Sequence, residues 1–291
     1  MEQSQDLLKQ IEALYKSFSK GQKRIANYIS ENYDSAVNLT AAKLGKIVGV
    51  SESTVVRFAT ELGFKGYPQF QDALEEIVKN KLNSIQRIRM TTNKIEKSDI
   101  LHTVLQSDKD NIKRTQEDIS REEFDKAVEL ISEADHIYVV GGRSCEPLSH
   151  FMAYYLNYIF ADVRLLDSGS IAESFEDIHR IGSDDVVIGI TFPRYSIDTV
   201  KIIEFSKNRH ASVIALTDSA VSPLTQYADC MLYAKSDMVS FADSLVAPLS
   251  VTNALIAALS IRNNEKVLKT MEGLEKIWKE FSVYADKKED E

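Results

Sequence analysis

The sequence predicts two domains. An all-α helix-turn-helix domain comes first, followed by an α/β domain on a doubly wound, five-stranded parallel sheet of the flavodoxin-like kind. Three observations lead there. A chain of 291 residues fits two domains of ordinary size, each large enough to bury its own core. The first 80 residues show only helical apolar spacing. From about residue 118, short β-branched apolar runs alternate with helical stretches, the pattern of a parallel sheet covered on both faces.

Taken in order, Leu7, Ile11, Leu14 and Phe18 recur at helical spacing, and Ser19 precedes a second helix with Ile25, Ala26 and Ile29 on one face. Asn38, Leu39 and Thr40 lead into AAKLGKIVG, with Thr40 as N-cap. Gly49 interrupts, and Ser51 opens SESTVVRFATELG, which ends at Gly63. Residues 69–90 read as a further helix with Phe70, Leu74, Ile77, Val78, Leu82 and Ile85 apolar. The expected boundaries are 1–80 for the first domain, 81–117 for a polar, partly helical linker, 118–285 for the second domain and 286–291 for a charged tail.

In the second half the expected strands are 136–140, 162–166, 185–191, 211–217 and 229–234. Helical stretches at 147–160, 171–180, 196–208 and 222–227 separate them, and helices at 240–261 and 265–284 close the domain. Right-handed crossovers then place helices on both faces of the sheet.

Composition narrows the function classes. Hydrophobic content of 44% and charged content of 27% are those of a soluble globular protein, and no eighteen-residue apolar run offers a membrane span. The N-terminal stretch lacks the apolar core of a signal peptide, and the two cysteines, Cys145 and Cys230, form no metal-ligand or CxxC spacing. A reducing, cytoplasmic setting without metal or cofactor is the expectation. The net charge of −9 hides an asymmetry: residues 1–90 hold 13 Lys and Arg against 10 Asp and Glu, and the remainder 22 against 34. A mildly basic head on an acidic body is compatible with nucleic-acid binding by the head alone.

The segment from Thr40 to Gly63 carries the first functional expectation. Gly49 suits the tight turn between crossed helices, Ala41, Leu44, Ile47 and Val48 pack inward, and Val50 fills the corner. Ser51 caps the second helix, whose start would enter a major groove and expose Glu52, Ser53, Thr54 and Arg57 to bases or phosphates. Lys43, Lys46 and Lys65 lie where the DNA backbone would run, with Thr40 at the head of the preceding helix. A plain helical hairpin in a bundle fits the same spacing.

The second expectation concerns an anion. Ligands of open parallel sheets bind at the carboxyl ends of strands where the winding reverses, here between the first and third strands. The loops after those strands are the unusual ones: Gly141 to Pro147, and Thr191 to Thr199. Gly141 and Gly142 allow close backbone approach, while Ser144, Thr191 and Ser196 offer hydroxyls and Arg143 and Arg194 offer charge. Tight packing alone also explains glycine and serine at such turns.

Other candidates are weaker. Ser219 and Ser222 suit either a pocket mouth or a turn, Cys145 reads as a packing residue, and His179 and His210 have no partner pattern. Trp278, with Ile277 and Phe281, marks a helix face packed on the core or on a partner subunit.

The run VSESTVVRFATELGFKGYPQF, through Ser51, Thr54, Val55, Arg57, Phe58, Leu62, Gly63, Phe64, Gly66 and Tyr67, resembles the motif of the RpiR family of bacterial regulators, as does KGQKRIANYISEN at 20–32. The resemblance spans essentially the whole chain, the second half being similar to the sugar isomerase (SIS) domain. It implies a DNA operator as one partner and a phosphorylated sugar as effector, with a homodimer or homotetramer formed through the SIS domain and the 240–261 helix. The SIS loop after strand three is commonly Ser-x-Ser-Gly-x-Thr. Here Thr191 and Ser196 match its ends, Pro193 replaces a hydroxyl and Arg194 replaces the glycine. Ser144 and Gly142 match the loop after strand one. The arginines suggest an effector with a carboxylate besides its phosphate, unless they hold acids such as Asp167 or Glu173. SIS isomerases use a glutamate near the last helix; 236–248 has none, only Asp237 and Asp243, so no catalytic residue is expected. The alternatives are a sugar-phosphate isomerase with an appended helical domain and a protein-docking adaptor.

Overall fold

The computed structural model describes residues 7–37, 39–81, 85, 99–166 and 170–284. Asn38, Leu82, Asp167, most of 82–98 and the 286–291 tail lie outside them, as do the side chains of Ile77 and Val78. The chain divides into two compact units, Met1–Lys94 and Ile95–Glu291.

The first unit is all-helical: α1 (Leu7–Leu14), α2 (Lys20–Glu31), α3 (Tyr33–Ala36), α4 (Ala41–Val48), α5 (Glu52–Glu61) and α6 (Tyr67–Lys81). Each start is chemically marked where the sequence placed a cap. Ser19 and Gln22 form a reciprocal capping box on α2, and Thr40 and Ser51 accept the N3 amides of α4 and α5. Phe58 is fully buried, 5.1 Å from the Phe18 ring and 5.9 Å from that of Phe70, so three separate segments meet on one side chain. Ile47 departs from expectation: it is 52% exposed rather than packed inward. The inward stripe of α4 runs through Ala41, Leu44, Gly45 and Val48, at i, i+3, i+4 and i+7, and Ile47 falls about 100° off its centre.

The second unit is a five-stranded, all-parallel sheet: β1 (Ile137–Gly141), β2 (Val163–Leu166), β3 (Val186–Ile190), β4 (Ser212–Thr217) and β5 (Cys230–Tyr233), in the order β2-β1-β3-β4-β5. Strand alternation divides the core in two. Ile137, Val139, Val186, Ile188, Ile214 and Leu216 face α8 (Arg121–Glu133), α9 (Glu146–Leu156) and α12 (Val246–Arg262). Tyr138, Val140, Val187, Val213 and Ala215 face α10 (Ile171–Asp177) and α11 (Ile197–Asn208). At the amino edge of the sheet, His136 lies 2.7 Å from Asp185 and 3.5 Å from Asp162, tying the starts of three strands together.

Several boundaries move. Residues 222–227 form turns, not a helix: the Thr225 and Tyr227 amides close back three residues, onto the Ser222 and Leu224 carbonyls at 3.1 and 3.0 Å. The 240–261 helix begins only at Val246, leaving 235–245 as a loop. Within the expected linker, α7 (Ile100–Asp118) packs on the second unit: its Asn111, 1% exposed, donates to the Asp237 carbonyl at 2.9 Å. Helix α8, unassigned from sequence, covers the sheet with Ala127, Val128 and Ile131. Helix α13 (Asn264–Glu280) buries no residue fully; Trp278 meets Tyr158 at 6.4 Å, while Ile277 and Phe281 are exposed.

Truncating Phe58 to Ala is expected to cost about 3–5 kcal/mol. Urea unfolding followed by circular dichroism measures this, and a loss below about 1 kcal/mol would contradict the three-way aromatic packing.

Candidate functional sites

In the first unit, α4 ends in Gly49 at φ 70°, a left-handed cap that glycine adopts without strain. The Val50 amide then donates to the Gly45 carbonyl at 2.8 Å. A Cβ on Gly45 would stand 2.8 Å from the Val50 carbonyl oxygen, so this position admits no side chain and sets how closely α4 and the turn approach. Helical spacing alone assigns the turn to Gly49 and leaves Gly45 unmarked.

The start of α5 is a knot of hydroxyls on an exposed surface. Ser51 Oγ lies 2.9 Å from Ser53 Oγ and 2.8 Å from Thr54 Oγ1, and accepts from the Thr54 amide at 3.3 Å. Glu52, Ser53 and Arg57 are exposed, whereas Thr54 is half-buried, its methyl turned toward Gly21. Arg57 Nε donates to the Ser53 carbonyl at 3.3 Å, which lays its guanidinium along the first turn of the helix. Thr40, Lys43 and Lys46 are exposed on α4, and Lys65 is exposed beyond α5. Arg24 on α2, not singled out from sequence, brings its guanidinium within 3.2 Å of where a Cβ on Gly49 would stand. Its only sequence signal is the basic run of 20–24.

In the second unit, the loops after β1 and β3 meet at the carboxyl edge, where the strand order reverses. The Gly142 amide donates to Thr199 Oγ1 at 3.2 Å. A Cβ there would fall 2.6 Å from Ser196 Oγ and 3.1 Å from Thr199 Oγ1, so close contact of the two loops requires glycine. Gly141 is similarly enclosed, with the Cys145 carbonyl 2.9 Å from its absent Cβ.

Beside this contact lies a cavity of about 700 Å³. Arg143, Arg194 and Ser196 line it, joined by Glu146, Tyr195, Ile197, Asp198 and Lys201. The expected residues therefore divide. The two arginines and Ser196 border open space. Gly141, Gly142 and Thr191 are buried behind it as scaffold, and Ser144 is exposed but does not line it. Thr191 Oγ1 accepts from the Ser196 amide at 3.1 Å while its carbonyl accepts from Thr217 Oγ1 at 2.7 Å, pinning both ends of the loop. Tyr195 extends the brace, donating to Asp218 at 3.0 Å. Lys201 escaped the sequence reading because it sits a full turn inside α11, outside any loop motif; Glu146 and Asp198 open their helices.

The remaining candidates have other employment. Ser219 bonds Asp218 at 3.0 Å and Ser222 is buried in its turn. Asp237 pairs with Arg114 on α7. Loop 235–245 is strapped to α7 further by Lys235 N–H to Thr115 Oγ1 at 2.8 Å, Lys235 Nζ to Asp118 at 2.7 Å and Ser244 Oγ to Asp108 at 2.6 Å. Asp243 in the same loop adds to the upward push that burial gives the Cys145 thiol. Among the described residues no group of His, Cys, Asp and Glu is placed to hold a metal ion, and no helix is long and apolar enough to cross a membrane.

Burial pushes the Cys145 thiol up from its ordinary 9.0 to about 11, and that of Cys230 to about 12. Both thiols stay protonated in the folded state at pH values where the unfolded chain already ionises. Folding stability is then fully present below pH 9 and falls as pH rises from 9 toward 11. Urea midpoints measured across pH 8–10.5 check this; replacing both cysteines by alanine should flatten the slope, and an unchanged slope would refute the assignment.

Comparison with known proteins follows the same division. The pattern described as a helix-turn-helix domain of the rpiR family matches residues 5–81, and that of the SIS domain matches 130–258. An uncharacterized HTH-type transcriptional regulator of Haemophilus influenzae is 29% identical over 236 residues, covering 80% of this chain and 81% of its own. The sugar isomerase domain of an RpiR transcription factor from Sphaerobacter thermophilus is 29% identical with a TM-score of 0.58, covering 61% of this chain and 98% of that one. The Vibrio vulnificus NanR protein complexed with ManNAc-6P shares the fold at 23% identity and a TM-score of 0.59, covering 96% of this chain and 100% of that one.

Proposed function

Of a chain that belongs to the RpiR family of regulators, with a helix-turn-helix domain and a SIS domain, we propose that it reads a DNA operator with α5 and binds a phosphorylated sugar in the cavity between the β1 and β3 loops. The observation that carries this reading is the pairing, in one chain, of an exposed Ser51–Arg57 helix start with a cationic cavity at the switch point of the sheet. Related HTH-type transcriptional regulators support the first half, and a protein of the same fold complexed with ManNAc-6P supports the second.

On DNA, Ser53, Thr54 and Arg57 reach base edges or phosphates, with Glu52 beside them, and Thr40, Lys43, Lys46, Ser51 and Lys65 serve the backbone. In the cavity, Ser196 and the amino end of α11 receive the phosphate with Arg194, while Gly141, Gly142 and Thr191 support it from behind and Ser144 stays outside the lining. The chain acts in the cytoplasm as a homodimer or homotetramer, which presents paired recognition helices to a pseudo-palindromic site. It binds its effector without turning it over, a reading supported by its HTH-type regulator relatives and by the lack of a glutamate in 236–248.

Fluorescence anisotropy on a labelled fragment from upstream of the chain's own gene tests the operator half. Binding should weaken steeply with salt and exceed that of a scrambled fragment by at least a hundredfold. Arg57→Ala should cost about 1–3 kcal/mol of that affinity. Equal binding to the scrambled fragment would refute specific reading.

The straps between loop 235–245 and α7 also suggest how the cavity speaks to the DNA-binding head, since the chain enters the second unit through α7. Asp237→Ala, which removes the Arg114 partner, should leave sugar-phosphate affinity within about twofold while reducing the effector-induced change in DNA affinity. A coupling of typical size, 1–3 kcal/mol, should shrink by about half or more. Parallel calorimetry and anisotropy on this variant would show it; an undiminished effector response would exclude this route.

A further inference from the structure

Resting on the reading of the cavity as a sugar-phosphate site, we infer that its ligand carries a second anionic group, a carboxylate, and that Arg143 receives it. The cationic side chains lining the cavity come from two directions. Arg194 and Lys201 belong to the β3–α11 side, where Ser196 caps α11 and the helix start favours a phosphate. Arg143 belongs to the opposite loop, between β1 and α9. A monophosphate seated on α11 is already served by Arg194 and Lys201, which leaves the Arg143 fork for a different part of the ligand.

The backbone supports this assignment. Among the described residues, four that are not glycine have φ in the left-handed region, and two of the four are Arg143 at 59° and Arg194 at 69°. An L residue there is strained where glycine would not be, and at 194 the SIS pattern carries glycine. Two arginines held at strained positions on facing loops of one cavity are explained by use of their side chains. A planar guanidinium matches a carboxylate through two parallel N–H donors, which a lysine does not reproduce. Glu146 and Asp198, which line the same cavity, suit the hydroxyls of the sugar between the two anionic ends.

The test is calorimetric titration of the full chain with matched pairs, each an aldose 6-phosphate and its 6-phosphoaldonate, in the gluco, manno and galacto series, with the unphosphorylated aldonates as controls. In at least one series the 6-phosphoaldonate should bind at least tenfold tighter than its aldose partner. Arg143→Gly, which suits a φ of 59° and so preserves the loop, should erase that preference while changing aldose 6-phosphate affinity less than threefold. Arg143→Lys should give an intermediate loss. Aldose phosphates binding as tightly as their acids, or Arg143→Gly weakening both members of a pair alike or neither, would overturn the carboxylate assignment and leave the sugar-phosphate reading standing. Binding of no phosphorylated probe in any series would overturn both.

Discussion

The second unit depends on one close approach, the contact of the Gly142 backbone with Ser196 and Thr199. No side chain fits at 142, because a Cβ would stand 2.6 Å from Ser196 Oγ. That absence lets the β1 loop settle against the first turn of α11 and lets the Gly142 amide find Thr199 Oγ1. Two loops that begin on neighbouring strands are thereby fixed at one crevice, and the flanking residues 143 and 194 are carried to its edge. Once the floor is built from glycine and buried hydroxyls, the variable chemistry of the site is confined to its rim. Such a division lets the rim take different side chains without disturbing the contact beneath it.

The first unit obeys a parallel constraint. Gly45 and Gly49 act together, the first by admitting the turn against α4 and the second by reversing the backbone at φ 70°. With those two positions fixed, Phe58 can reach the shared core while the opposite face of α5 stays exposed. The division of α5 into a fully buried stripe of Val55, Phe58 and Ala59 and an exposed Ser53–Arg57 edge follows from helical periodicity once the turn is set.

Much of this was legible in the sequence because it depends on local chemistry. Caps at Ser19, Thr40 and Ser51, the five apolar strands and the switch-point loops are each marked by residues within a few positions of the feature itself. What escaped notice depends on tertiary contact. Ile47 looked inward by composition, yet the stripe of α4 was set by what Gly45 had to touch. Lys201 reaches the cavity only because α11 projects along its wall. Helix α7 is polar and reads as a linker; it is held to the second unit through Asn111, Arg114 and Thr115, polar side chains that hydropathy assigns to solvent.

That polarity sets how α7 is attached. Helix α7 packs beside α12 and is in addition tied to loop 235–245 by directional hydrogen bonds and ion pairs, which are discrete partners to gain or lose. Loop 235–245 supplies those partners to α7 at Lys235, Asp237 and Ser244. The polarity that hides α7 from a hydropathy reading is therefore what gives it this second, directional attachment.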